Sequence, residues 1–230
     1  MPRPSRNIDQ LLISAALELL PLVGTRALSI RQVCERAGVN LGMFHYHFKT
    51  RDAFLRAVLQ QTYEGMFASL ELEAGREEHP LINLRVAVMT LARFARDQRQ
   101  LLVRLIGDAF AGEAVAIGFL QNNLPRHIGL VAKLITAAQR GGALRRIPVM
   151  QALAFLIGGT GAPILLGTAA SGGGLLPESV TTEFEATLLT DDAIAVRIDM
   201  ALAGLAAPIA SSVLPPATPA MRKAKTGVRT

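Results

Sequence analysis

A short aromatic segment, residues 41–48, carries the side chains best suited to recognising a partner. It follows Gly38, which can take the left-handed conformation that ends a helix, and Asn40, whose side-chain oxygen can cap the next helix. Phe44 and Phe48 are four residues apart, so they share one face and can anchor a short helix in a core. The side chains that remain then face outward, and they are Met43, His45, Tyr46 and His47. A short helix with this outward face favours contact with a DNA groove.

The flanking sequence predicts the helices that must position this segment. Apolar residues recur at helical spacing from Ile8 to Val23, and Gly24 can end that helix. A second helix is predicted from Ser29, because Gln32 three residues later completes a capping-box pattern. Thr50 can cap a fourth helix, whose predicted buried stripe consists of Phe54, Leu55, Val58 and Leu59. Together these helices predict a helix-turn-helix unit.

This unit resembles the DNA-binding domain of TetR-family transcriptional regulators over roughly residues 6–66, about a quarter of the chain. The matching features are the Gly-x-x-x-x-Ser step at Gly24–Ser29, then Ala37-Gly38-Val39, Gly42, and the aromatic run that ends in Phe48 and Lys49. Three residues depart from the usual family pattern, and they are Asn40, Met43 and His45. Because these positions face DNA in the family, the departures concern the operator sequence and leave the expected fold unchanged.

The resemblance also implies which residues contact DNA. Leu41, Gly42 and Met43 are expected to face the bases, because the N-terminal part of a recognition helix enters the major groove. Leu41 and Met43 can make apolar contact with a thymine methyl, and Gly42 permits a close approach of the backbone. Phosphate contacts fix the register without reading sequence, and they are expected from Ser29, Asn40, His45, Tyr46, His47 and Lys49. For Tyr46, the alternative is a half-exposed packing role.

Composition narrows the class of protein. Half of the 230 residues are apolar and only 5% are aromatic, with no Trp, which suits an all-α chain of one or two domains. A single Cys excludes an intramolecular disulfide framework and fits a reducing cytoplasm, and Cys34 is expected in the core. The first residues lack the apolar core of a signal peptide. We therefore expect a cytoplasmic protein.

The net charge of +6 is unevenly distributed along the chain. Residues 1–56 carry eight Lys and Arg against four Asp and Glu, and residues 214–230 carry four basic residues and no acidic ones. A positive helix-turn-helix fits phosphate contact, although an ordinary solvated surface would give the same modest excess. We expect residues 1–56 to bind DNA, residues 57–213 to bind an effector and dimerise, and residues 214–230 to form a disordered tail.

Apolar stripes predict three helices between residues 80 and 140, the last of them from about Asn122 to Gly141. Two further long helices are predicted at Pro148–Ala170 and Asp191–Ala207, separated by a hinge and a polar stretch. In TetR-like proteins the two final long helices pair with their copies in a second subunit as a four-helix bundle. The resemblance therefore implies a homodimer.

Residues 147–177 contain no charged side chain over 31 positions, and a run of this length can span a bilayer. Glycines and Pro163 interrupt the run, and its small residues suit close packing of helices. These features favour a buried or subunit-interface helix over a membrane span. A membrane-associated helical protein anchored by residues 147–177 is the alternative function.

The motifs of an enzyme are missing from the sequence. It contains no Gly-x-Ser-x-Gly and no Gly-Lys-Ser/Thr phosphate loop. His45 and His47 are two residues apart, so on a helix they point about 200° from each other and cannot share a metal ion. We therefore expect no enzymatic activity, no cofactor and no metal.

The resemblance implies a ligand-responsive regulator, expected to be a repressor that occupies a palindromic operator in double-stranded DNA. A small hydrophobic effector would release it by changing the separation of the two recognition helices. Candidate polar residues of the effector pocket, each of which could instead lie on a solvated face, are Arg93, Arg96, Arg104, Asp108, Asn122 and His127. One of the three arginines would meet an anionic group of the effector, if it carries one.

Overall fold

The computed structural model describes residues 5–75 and 79–207, and within these ranges it consists of ten α-helices without a strand. The all-α class predicted from the sequence is confirmed. The predicted basic tail 214–230, with Arg222, Lys223, Lys225 and Arg229, lies outside the described residues. The helices are α1 Ser5–Ala27, α2 Ile30–Ala37, α3 Leu41–Phe48, α4 Arg51–Ala74, α5 Pro80–Asp97, α6 Arg99–Phe110, α7 Ala114–Arg140, α8 Val149–Gly172, α9 Glu178–Leu188 and α10 Asp191–Leu205.

Helices α2, α3 and α4 begin directly after the predicted caps Ser29, Asn40 and Thr50. Helix α1 is longer than predicted, because it starts before Ile8 and continues past Gly24. Gly24 interrupts α1 with a φ of 76°, and Gly38 ends α2 with a φ of 65°, a conformation that glycine adopts without steric cost. Asn40 caps α3 by accepting a hydrogen bond from the Met43 N–H at 2.9 Å. Thr50 caps α4 in the same way, with the Ala53 N–H at 3.2 Å. Local sequence therefore fixes the helix-turn-helix connections.

Two elements of the second half differ from the sequence prediction. Helix α7 begins at Ala114, well before the predicted start near Asn122, because Glu113 caps it by accepting a hydrogen bond from the Ala116 N–H at 2.7 Å. The predicted polar stretch before Thr190 contains helix α9, which has Phe184 as its one buried residue and so shows no apolar stripe. The Phe184 ring packs against Gly167 of α8, where an added Cβ would lie 2.2 Å from it.

The apolar core does not divide at the predicted domain boundary between residues 56 and 57. That boundary lies inside α4, which is continuous from Arg51 to Ala74. A first cluster joins the buried side chains of α1 to α4 with residues of α6 and α7: Leu101, Leu105, Val115 and Ala116. A second cluster combines α5, α7, α8, α9 and α10. The predicted division at residue 56 therefore stays a proposal about function.

Helix α8 is apolar on its outer side as well as its inner side. Both Ile8–Ala27 and Val149–Gly172 are long and apolar enough to cross a membrane, a test that core helices of soluble proteins also pass. Only 28% of the apolar window in α8 is buried within the chain. Its exposed residues continue onto α10 through Phe155, which lies beside Gly204, and we call Met150, Phe155, Val196 and Met200 the outer apolar face. An exposed apolar face of this kind marks an interface with another molecule.

The connection between α1 and α2 is held from two sides. Asp108 of α6 accepts hydrogen bonds through Oδ2 from the Thr25 N–H at 2.6 Å, the Thr25 hydroxyl at 2.8 Å and the Arg26 N–H at 3.2 Å. Arg51 of α4 donates to the carbonyl oxygens of Leu28 at 3.0 Å, Arg26 at 3.1 Å and Thr25. We call this arrangement the Asp108–Arg51 clasp. Gly24 is required next to it, because an added Cβ would lie 2.5 Å from Asp108 Oδ2.

Replacing Thr25 with Val should weaken the clasp with little change in shape. Thr25 is fully buried, and its hydroxyl contacts both Asp108 and Glu113, the second at 3.3 Å. Because hydrogen bonds to charged groups contribute about 1.5–3 kcal/mol, we expect Thr25→Val to lower the free energy of unfolding by about 2 kcal/mol. Urea unfolding at a fixed protein concentration measures this.

Thr182→Val is the matched control, because the exposed Thr182 hydroxyl donates only to the Glu178 carbonyl of its own helix. It should change the free energy of unfolding by less than about 0.5 kcal/mol. Equal losses in the two variants would show that the clasp contributes nothing beyond an ordinary hydroxyl.

Candidate nucleic-acid interface and ligand cavity

Helix α3 presents the predicted recognition surface. Phe44 is fully buried and packs edge-on against Phe54 of α4, with the ring centroids 5.2 Å apart. Opposite this anchor, Tyr46 is 77% exposed and Leu41 is 46% exposed. Gly42 and His45 are also exposed, and Met43 is half-buried. The first turn of α3 and Tyr46 therefore lie free at the surface, as a groove-reading helix requires.

The residues predicted to contact phosphate are exposed, with one exception. Ser29, Asn40 and Lys49 are exposed, although the Asn40 side-chain oxygen is occupied by its cap. His47 is the exception, because its side chain is only 7% exposed and its Nδ1 lies against the Asp9 carboxylate of α1. The prediction that His47 faces outward is therefore wrong. The His47 side chain instead connects α3 to α1 through its contact with Asp9.

Lys49 has an unusual backbone conformation. Its φ of 40° and ψ of −53° place it in a tight turn in which the Thr50 N–H donates to the Phe48 carbonyl. A side chain other than glycine rarely has a positive φ, and such a conformation costs about 1–3 kcal/mol. Position 49 is occupied by a positively charged Lys, although Gly would adopt this backbone conformation with less strain. That choice is consistent with the predicted phosphate contact.

A cavity of about 280 Å³ lies among helices α4 to α8. Its walls are mostly apolar, and they include Leu59, Met66, Leu101, Leu105 and Ile128. Five side chains with polar groups also line it, and they are Thr62, Tyr63, Asn123, His127 and Thr160. No Lys, Arg, Asp or Glu is among the described residues that line it. The cavity can therefore enclose a small, mostly apolar molecule.

The polar groups of the cavity are uncharged near neutral pH. The Tyr63 hydroxyl donates to the Asn123 carbonyl at 2.9 Å and lies 3.3 Å from His127 Nδ1. Burial raises the pKa of Tyr63 to about 12 and lowers the pKa of His127 below its ordinary value. If His127 Nδ1 donates to the Tyr63 oxygen, its Nε2 is left as an acceptor. A ligand with a single donor could bond to that atom.

Of the six predicted effector residues, only His127 lines the cavity. Arg93 and Arg96 instead pair with Asp191 of α10, Arg93 at 2.8 Å. Asp108 belongs to the clasp, and Asn122 is exposed. These four side chains therefore do not line this cavity, because ion pairs, hydrogen bonds and solvent satisfy them elsewhere.

Arg104 lines a separate cleft between α1 and α6, α8 and α9. The cavity residues that sequence reasoning missed are Thr62, Tyr63, Asn123 and Thr160. Tyr63 and Asn123 lie at helical spacing within apolar stripes, which is the signal that could have found them.

Within residues 5–75 and 79–207, no group of three or more His, Cys, Asp and Glu side chains is arranged to hold a metal ion. Cys34 is buried, as predicted, and burial raises the pKa of its thiol. His45 and His47 lie on different sides of α3, one exposed and one packed on α1. Among the described residues, the candidate sites are therefore the exposed face of α3 and a cavity without ionic side chains.

Comparison with known proteins agrees with this geometry. Residues 12–58 match the family described as "Bacterial regulatory proteins, tetR family". The HTH-type transcriptional regulator UidR of Escherichia coli K12 is 23% identical over 133 residues, which cover 58% of this chain and 67% of UidR.

Two solved structures share the fold. A TetR family transcription regulator from Marinobacter aquaeolei VT8 aligns with a TM-score of 0.62 at 16% identity, covering 88% of this chain and 97% of that chain. A bacterial regulatory protein in the tetR family from Rhodococcus RHA1 also gives a TM-score of 0.62, at 14% identity, covering 87% of this chain and 98% of that chain.

An exposed helix-turn-helix ahead of a larger set of helices is the architecture that this chain shares with the matched regulators. Residues 12–58 thus match the TetR family of transcriptional regulators, and the chain as a whole shares the fold of solved TetR-family regulators.

Substitutions at Lys49 and Met43 should separate phosphate contact from base contact. We expect Lys49→Ala to weaken binding to a selected operator and to random DNA by the same factor, and to lower the salt slope by about one. Met43→Ala should instead change the preference among operators. Fluorescence anisotropy over a range of salt concentrations, with an operator selected from random DNA, measures both effects.

Lys49→Gly is the control for strain. It removes the same charge but permits the positive φ, so its DNA affinity should match that of Lys49→Ala while its stability is higher. If Lys49→Ala changed sequence preference and Met43→Ala did not, the assigned orientation of α3 would be wrong.

Proposed function

We propose that this regulator is a soluble, cytoplasmic, homodimeric repressor that an uncharged, mostly apolar small molecule releases from a palindromic operator. Regulators of this family bind DNA and act as dimers with small-molecule effectors. The observation that carries the proposal for this chain is the position of helices α4 and α6. Both line the cavity, and both hold the connection between α1 and α2. No catalytic role is assigned to the chain.

The class of effector follows from the cavity wall. A charged ligand would lose its hydration without meeting an opposite charge, because no ionic side chain is among the lining residues. The sequence-based expectation of an anionic group met by Arg93, Arg96 or Arg104 is therefore replaced by an uncharged ligand. Its volume is limited by the cavity of about 280 Å³, near the lower end of the range for small-molecule sites. A hydroxyl or amide donor could bond to His127.

A route from the cavity to the DNA-binding unit runs along α6. Leu101 and Leu105 line the cavity on one side and belong to the N-terminal core cluster on the other. Asp108, on the same helix, holds the N–H groups of Thr25 and Arg26 just before α2. Since a packed helix moves largely as a unit, a ligand that displaces α6 would also move the α1–α2 connection. The ligand must bind more tightly to the state that does not bind DNA.

A second copy of this chain is proposed to pack against the outer apolar face and bury it. Met150 is 69% exposed and Met200 is 68% exposed, and Phe155 joins them across α8 and α10. Contiguous apolar surface of this kind marks an interface with protein or membrane. The family's action as dimers favours a protein interface, and the predicted four-helix bundle uses the same two helices. The membrane alternative for residues 147–177 is an outcome of the test.

Effector binding and operator binding should weaken each other by the same factor. Neutral alcohols such as 1-octanol and 1-naphthol should bind the cavity more tightly than octanoate and 1-naphthoate, because the cavity offers no cation. For a ligand that acts as inducer, saturating operator should lower its affinity about 5- to 150-fold, and saturating ligand should lower operator affinity equally. Calorimetry with and without operator measures both factors.

Asp108→Asn tests the proposed route. It removes the carboxylate of the clasp but does not touch the cavity, so ligand affinity without DNA should stay within about two-fold of wild type. The coupling factor should fall. Asp97→Asn, at an exposed carboxylate that pairs with Arg96, is the control and should leave coupling unchanged. Ligands that bind the free protein and the operator complex equally well would exclude induction by those compounds.

The oligomeric state tests the outer apolar face. Light scattering should give about twice the chain mass of 24.6 kDa, in the soluble fraction without detergent. Phe155→Glu combined with Met200→Glu should give a monomer, because two carboxylates would have to be buried at the interface. Leu72→Glu, at an equally exposed residue of α4, should remain a dimer. A wild-type monomer would contradict the bundle, and recovery in the membrane fraction would favour the alternative.

A further inference from the structure

A second concave site lies at the junction of the DNA-binding unit and the rest of the chain. This junction cleft has a volume of about 510 Å³ and lies apart from the effector cavity, with which it shares no lining residue. Pro21 and Leu22 of α1 form one wall, α6 forms the second, and the end of α8 with α9 forms the third. A molecule bound there would contact both parts of the chain at once.

Two polar groups of the junction cleft lack partners among the described residues. Ser171 Oγ is buried from solvent and makes no hydrogen bond, which is unusual because buried hydroxyls are nearly always paired. Arg104 lines the same cleft and forms no ion pair within residues 5–75 and 79–207. Glu185 also lines the cleft, and its carboxylate faces the Arg99 guanidinium at 3.6 Å, so a second arginine opposes its negative charge. The cleft therefore contains the Arg104 guanidinium, which forms no ion pair among the described residues, and the Ser171 hydroxyl, which makes no hydrogen bond.

The remaining wall of the junction cleft is partly apolar. Val103, Phe184 and Leu22 line it beside Gln100, whose amide can donate or accept. A guanidinium matches a carboxylate or phosphate with two parallel hydrogen bonds, and a hydroxyl can donate a third. An apolar group on the same molecule would cover Val103 and Phe184. The junction cleft thus differs from the effector cavity, whose described lining residues include no Lys, Arg, Asp or Glu.

We propose that the junction cleft binds a small organic oxyanion, with its carboxylate or phosphate on Arg104 and Ser171 and its apolar part on Val103 and Phe184. Binding at this site is independent of the function proposed above. Its regulatory consequence rests on that function, because a ligand that bridges α1 and α9 would hold the DNA-binding unit in the arrangement of this structure. It would thereby stabilise the chain and change operator affinity.

The test compares matched probes on the full-length Gly161→Leu protein without DNA, because this substitution fills the effector cavity and leaves the junction cleft as the site for the neutral probe. The probes are 1-naphthoate, 1-naphthyl phosphate and the neutral 1-naphthamide, with affinities measured by calorimetry. We expect one of the two oxyanions to bind at least ten-fold more tightly than the amide. Arg104→Gln should abolish that difference, and Ser171→Ala should weaken the oxyanion about three-fold. Arg104 is exposed, so its replacement should leave the thermal unfolding temperature nearly unchanged.

Two control variants locate the binding. Arg140→Gln removes another exposed arginine far along α7 and should leave oxyanion affinity unchanged. Gly161→Leu fills the effector cavity, where an added Cβ meets nothing within 4 Å, and it should also leave oxyanion binding unchanged. Equal binding by the amide, full retention in Arg104→Gln, an equal loss in Arg140→Gln, or no binding by either oxyanion at millimolar concentration would each overturn the proposal. None of these results depends on operator binding, so failure here leaves the repressor proposal standing.

Discussion

The Asp108–Arg51 clasp is the constraint on which the arrangement of the helices depends. A turn between two helices exposes backbone N–H and carbonyl groups that no helix satisfies, and a buried turn must find partners for them. Here a carboxylate from α6 takes the N–H groups of Thr25 and Arg26, and a guanidinium from α4 takes three carbonyls. The two partners belong to different helices, so α4 and α6 are both fixed to one short segment at the end of α1.

This constraint attaches the N-terminal unit to α6, with which the unit also shares an apolar core. A small three-helix unit buries little apolar surface by itself, and here Leu101, Leu105 and Val115 complete its core. The same α6 leucines form part of the cavity wall, so filling the cavity and packing the DNA-binding unit use common side chains. The proposed coupling between effector and DNA would then need no separate relay, because one helix belongs to both regions. The price is that mutations in α6 affect stability and regulation together.

How much the sequence predicts depends on whether a feature is local. Gly24, Gly38, Asn40 and Thr50 act within a few residues of themselves, so their turns and caps could be predicted without tertiary information. Helix α9 could not be, because it buries little beyond Phe184 and depends on Gly167 of another helix to receive that ring. The orientation of His47 was also missed, since its contact with Asp9 joins helices that are separated in sequence. The exposure of His45 and Tyr46, by contrast, followed correctly from the positions of the two phenylalanines.

The effector residues show the same limit more sharply. A charged side chain on an amphipathic helix has the same local pattern whether it faces a cavity, solvent or another helix, so the sequence could not distinguish these cases. The structure shows that Arg93 and Arg96 of α5 both pair with Asp191, the first residue of α10. Arg85 of α5 pairs with Asp199, which lies about two turns further along α10. Polar side chains of α5 are thus used to attach α10, whose outer side is apolar. That leaves the cavity wall of α5 to apolar residues, which is why no charged side chain of α5 lines the cavity. In the proposed function, the effector would therefore be recognised by its shape and by a few uncharged groups.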